Sequence, residues 1–180
     1  LWANVTVEGK GKNNFTSLPR GSFFEPLTLR KSERLGVYLT SDGPFLRAAR
    51  GDVEGRRYNS NNDVVIYEGV SKYYPADRGT ISPALFNGAF EYVVLDNIPP
   101  STSPSLDGQE LIGSVGTFAT LNEEDAAFPG GVLTYAGSMF DIKGRSDIEI
   151  TSIGFTTRLN TTLGILVYVR QGGYADYEDD

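Results

Sequence analysis

Apolar positions recur along this chain mostly with period two, the spacing of strands that bury one face. Ala3, Val5 and Val7 fall on one side of Trp2–Glu8, while Trp2, Asn4 and Thr6 fall on the other. Leu35, Val37 and Leu39 alternate with Gly36, Tyr38 and Thr40, and Val64 and Ile66 alternate with Val65 and Tyr67. Phe86, Gly88, Phe90, Tyr92 and Val94 share a face, and Leu163, Ile165, Val167 and Val169 form the cleanest run. Ile148 and Ile150 are followed by Ile153 and Phe155, a parity slip at Thr151-Ser152 that predicts a β-bulge.

Turn-forming clusters separate these runs: Ser41-Asp42-Gly43-Pro44, Asn59-Ser60-Asn61-Asn62-Asp63, Phe128-Pro129-Gly130-Gly131 and Gln171-Gly172-Gly173. The pattern predicts about ten short strands in an all-β, antiparallel sandwich of Ig-like or jelly-roll-like type. Only Glu123-Glu124-Asp125-Ala126-Ala127 favours a helix, and it has room for one turn before Pro129.

The run Asn97-Ile98-Pro99-Pro100-Ser101-Thr102-Ser103-Pro104-Ser105 has little to bury, and its prolines fix φ and remove donors. It reads as a linker over 97–109 between a first portion, 1–96, and a second, 110–180. Strand-like sequence at both ends, with the linker central, suggests one period of a tandem array. Residues 1–96 would then close one sandwich and 110–180 would open the next. On this reading 1–96 packs chiefly with 110–180 of the preceding unit.

Composition narrows the chemistry. The formal charge of −7 disfavours nucleic acid as a partner. With no Cys there is no disulfide framework and no thiolate. With no His, the commonest general base and the middle member of a Ser-His-Asp triad are missing. Carboxylate-pair, Ser-Lys and oxygen-ligated metal chemistry remain open, but no carboxylate pair can be singled out among the scattered acids. The expectation is therefore no enzyme and no cofactor. No stretch of about 18 apolar residues is present to span a membrane.

Two sets of residues carry a family resemblance. In the second portion they are Gly137-Ser138-Met139-Phe140-Asp141-Ile142, Asp147-Ile148-Glu149-Ile150-Thr151-Ser152-Ile153 and Leu166-Val167-Tyr168-Val169-Arg170-Gln171-Gly172-Gly173-Tyr174. In the first portion they are Gly36-Val37-Tyr38-Leu39-Thr40, Tyr58-Asn59-Ser60-Asn61-Asn62-Asp63-Val64, Tyr73-Tyr74-Pro75 and Phe86-Asn87-Gly88-Ala89-Phe90-Glu91-Tyr92. Together they resemble, in permuted order, a tandem β-sandwich repeat of large secreted proteins of diatoms and other stramenopile algae. The resemblance implies extracellular tandem architecture and carries no catalytic residues or ligand.

Three N-glycosylation sequons begin at Asn4, Asn14 and Asn160. Ser101, Thr102, Ser103 and Ser105 of the linker are candidate O-glycosylation sites. Acidic clusters at Glu123, Glu124 and Asp125, at Asp176, Glu178, Asp179 and Asp180, and the oxygen-rich turn 59–63 offer ligands that could hold Ca²⁺, although none shows a spaced ligand loop. Tyr67, Tyr73, Tyr74, Tyr168, Tyr174 and Tyr177 could stack on sugars or simply pack. The leading expectation is an extracellular structural repeat of a filament, coat or adhesive glycoprotein, with covalently attached glycans and neighbouring repeats as partners. One alternative is a carbohydrate-binding module using tyrosines and calcium; another is an intracellular shell or scaffold protein.

Overall fold

Period-two alternation makes strands, and fourteen form among the described residues. The computed structural model describes residues 1–11, 14–73, 79–95, 115–119 and 133–174. The first portion supplies β1 (Ala3–Glu8), β2 (Phe15–Pro19), β3 (Leu27–Leu29), β4 (Arg34–Ser41) and β5 (Leu46–Arg50). It continues with β6 (Arg57–Ser60), β7 (Val64–Lys72), β8 (Thr80–Phe86) and β9 (Gly88–Val94). The second supplies β10 (Val115–Ala119), β11 (Leu133–Tyr135), β12 (Gly137–Gly144), β13 (Ile148–Thr156) and β14 (Thr162–Gln171). The helical content described is one 3₁₀ turn at Arg20–Ser22. Among the described residues no helix is long and apolar enough to cross a membrane.

The strands form two antiparallel sheets. The nine-stranded sheet runs β1-β14-β4-β12-β7-β8-β5-β11, with β6 beside the first half of β7. The five-stranded sheet runs β10-β9-β13-β2, with β3 beside the first half of β13. One core lies between them, drawing Leu35, Val37, Leu39, Ile66, Phe140, Ile142 and Ile165 from the larger sheet and Leu18, Leu29, Phe90, Tyr92, Ile148 and Phe155 from the smaller. Inward residues at alternate positions of both sheets are the arrangement a sandwich requires.

The expected parity slip in β13 is present. Its register against β9 shifts between Ile150 and Ser152, where its other neighbour changes from β3 to β2. The run from Phe86 to Val94 does share its buried face, but it is two strands. The chain passes from the larger sheet to the smaller at Asn87, so Phe86 and Phe90 meet from opposite sheets at 5.6 Å. Trp2 departs from the expected outward face: it is buried, stacks on Phe23 at 3.8 Å and donates its indole N–H to the Glu25 carbonyl. A large apolar ring with one donor is satisfied by such a niche.

The portions 1–96 and 110–180 do not pack as separate halves. In the larger sheet β14 lies between β1 and β4, and β12 lies between β4 and β7. In the smaller sheet β13 lies between β9 and the pair β2 and β3. Within one chain the two portions complete a single core. The reason is that β4, β7 and β9 would each present an unpaired edge without a strand from the second portion, and buried backbone donors and acceptors need partners. The linker itself, the helix-favouring run 123–127 and the turn at Phe128–Gly131 lie outside the described residues.

Candidate functional site: a basic concavity on the larger sheet

Inward Val64 and Ile66 of β7 turn Val65 and Tyr67 to the outer face of the larger sheet. Inward Ile142 of β12 likewise turns Lys143 outward, directly beside Val65 in the register. On the other flank Arg57 of β6 pairs with Tyr67. Two chain reversals close the end of this surface: Lys31 and Ser32 between β3 and β4, and Gly144 at the end of β12 with Arg145 just after it. They are joined by a bridge between Lys31 and Gly144 and by the Ser32 amide donating to the Gly144 carbonyl at 2.8 Å. The result is an open concavity of about 350 Å³ lined by Lys31, Ser32, Arg57, Val65, Tyr67, Lys143, Gly144 and Arg145.

Its charge contrasts with that of the chain. Four cationic side chains line it, while the nearby carboxylates are held by other donors. Asp147 accepts the Lys31 backbone N–H at 2.6 Å and the Arg30 guanidinium at 3.3 Å. The Lys31 amide first, then the Arg30 guanidinium, hold Asp147 below the ordinary carboxylate range. Asp63 accepts Ser146 Oγ at 2.9 Å and the Tyr92 hydroxyl at 3.0 Å. Arg145 donates to the Asn61 carbonyl at 2.8 Å. Beside the concavity, Arg34 lies over the Tyr67 ring at 4.4 Å and pairs with Asp141 at 2.6 Å.

No protein-family model, curated protein or solved structure matches this chain.

The buried acids further along this face build loops. Glu68 is fully buried and accepts the backbone N–H groups of Asp52 at 2.6 Å and Val53 at 3.0 Å, together with the Arg56 guanidinium at 2.6 Å. Asp52, then Glu68, raise the Arg56 pKa. Asp141 accepts the Tyr174 backbone N–H at 2.7 Å, which brings the segment after β14 across Gly36. A Cβ on Gly36 would meet the Tyr174 nitrogen at 2.8 Å, so only glycine leaves room for this crossing. Among the described residues no group of three or more acids comes together to hold a metal ion.

The sequence-predicted residues are distributed as follows. Asn4, Asn14 and Asn160 are exposed. Asn14 immediately precedes β2, and Asn160 lies in the turn before β14, where a Cβ on Gly11 would collide with its side chain. Asn4 lies on β1, opposite Leu166 of β14. Thr16 of the second sequon is buried, its hydroxyl accepting the Lys10 amide at 2.9 Å. Ser101, Thr102, Ser103, Ser105, the acids at 123–125 and 176–180, Tyr74 and Tyr177 lie outside the described residues. In the turn 59–63, Asn59 and Ser60 end β6, and Asn61 Oδ1 accepts the amides of Asp63 and Val64 at 2.9 and 2.8 Å. These oxygens shape an Asx-type turn.

The tyrosines do not form one platform. Tyr67 lies under Arg34, Tyr168 stacks on Tyr38 at 5.9 Å, Tyr174 is buried, and exposed Tyr73 leans on buried Tyr135 at 5.6 Å. Sequence reasoning missed the basic concavity because its cations come from three separate segments. The available signal was three pairs of cations at turn or strand ends: Arg30-Lys31, Arg56-Arg57 and Lys143 with Arg145.

Proposed function

We propose that this chain is an extracellular, non-enzymatic structural module of a filament, coat or adhesive glycoprotein, which joins further copies of itself. The observation that carries the reading is the alternation of strands from 1–96 and 110–180 through both sheets. Two portions that complete each other, connected through one Pro/Ser/Thr-rich run, can make the same pairings between copies as within one. Exchange of this kind costs little in contacts, because every pairing and the whole core are kept. The resemblance to secreted tandem β-sandwich repeats points the same way.

Exposed Asn4, Asn14 and Asn160 support a secreted, glycan-bearing surface. The burial of Glu68 and Asp141 in loop-building contacts supports a structural use of these acids over a catalytic one. Electron microscopy and intact mass of native material test the proposal together. The expected result is end-to-end polymer whose subunit mass exceeds that of the 19.6 kDa polypeptide by glycan increments. Monomeric material of unmodified mass would contradict it.

A further inference from the structure

We propose that the concavity between β6, β7, β12 and the two adjoining turns binds the carboxylate or sulfate groups of an acidic polysaccharide. Lys31, Arg57 and Lys143 reach this surface without an ion pair among the described residues, in a chain whose net charge is −7. Acids are close by, yet Asp147, Asp63 and Asp141 are each engaged by named donors. An acidic protein that gathers four cationic side chains on one surface has a local field there opposite to its global one. Such a concavity attracts anions that the rest of the surface repels.

The spacing selects the kind of anion. Arg57 on β6 and Lys143 on β12 are separated by the whole of β7, so their backbones lie about 10 Å apart across the sheet. Two cations on strands so spaced suit charges spread along a chain. Between them lie half-buried Tyr67, whose ring is covered on one side by Arg34 at 4.4 Å, and Val65, which is buried. The 350 Å³ volume falls within the range of small-ligand sites and admits one or two rings. The Ser32 hydroxyl adds a neutral polar group at the rim. The backbone frame of the site is held by strand pairing and by Asp147, so binding has chiefly the cationic side chains to order.

Titration calorimetry of the full chain with four probes tests this: dextran sulfate, polygalacturonate, unmodified dextran and a single-stranded DNA oligonucleotide. Saturable binding to at least one of the two anionic polysaccharides is expected, with none to unmodified dextran. Preference between them distinguishes sulfate from carboxylate. The double variant R57A/K143A should bind about tenfold more weakly. K10A/R158A, which removes the same charge from exposed positions elsewhere, should bind as the parent does. K31A provides a second, singly substituted check, and thermal melts verify that all variants fold. Equal loss in the control variant, failure to bind either acidic polysaccharide at low salt, or stronger binding of DNA would overturn the proposal.

Discussion

Phe140 of β12 stacks on Phe86 of β8 at 4.1 Å, and Phe90 of the opposite sheet closes against Phe140 at 6.0 Å. Phe140 comes from the second portion of the chain and the other two from the first, so this triad fastens the portions together. Removing the Phe140 ring should cost about 3–5 kcal/mol, the usual range for Phe→Ala in a close-packed core. Urea unfolding of Phe140→Ala checks this. A loss below about 1 kcal/mol would mean that the triad is not packed as described.

Gly69 sits where β7 exchanges β6 for β8 as its neighbour, beside a register shift against β12. A Cβ there would collide with the Met139 carbonyl, a backbone atom of the neighbouring strand. Gly69→Ala should therefore destabilise by at least the roughly 1–3 kcal/mol typical of overpacking. The matched control is Gly21→Ala, where a Cβ meets nothing within 4 Å. Thermal melts of the two variants should differ clearly.

Glu68 holds the loop between β5 and β6 by its two backbone contacts. Glu68→Gln retains the shape but replaces one acceptor oxygen with a donor, at a cost of about 1–3 kcal/mol. The local consequence is more diagnostic: amide hydrogen exchange at Asp52 and Val53 should quicken while that at Phe140 changes little. Uniform acceleration across the sheet would point to global destabilisation instead.

Asp147 has a depressed pKa in the folded chain, chiefly through the Lys31 amide. Its contribution to stability is therefore fully present above its unfolded value, near 4, and is lost as pH falls through the lower folded value. The parent should lose stability relative to Asp147→Asn on acidification from about pH 5 to pH 2. Parallel stability curves over that window would show that the contact does not form.

Much of the fold was legible because burial on one face imposes period two. Leu35, Val37 and Leu39, and likewise Leu163, Ile165 and Val167, reveal both their strands and their inward direction. The bulge near Thr151 was legible because a parity slip has few other causes. Sheet order was not, since nothing in the period of β12 records that it lies between β4 and β7. Pairing partners are set by contacts between distant segments, which the local pattern of a strand does not record. The basic concavity was hidden for the same reason, because Lys31, Arg57 and Lys143 meet only once β3, β6 and β12 are in place.

Cross-linking tests most directly the claim that the two portions serve to join copies. The chain lacks cysteine, so one introduced pair reports without interference. Asn4 and Leu166 face each other on β1 and β14. Paired residues on neighbouring strands lie within the span a disulfide requires. In the double variant Asn4→Cys/Leu166→Cys, oxidation of dilute monomer should form the intrachain bridge that the fold shows, whereas oxidation under conditions where the chain assembles should add a ladder of covalent multimers on a non-reducing gel, collapsing to monomer on reduction. Quantitative oxidation to cross-linked monomer alone, at every protein concentration, would contradict it.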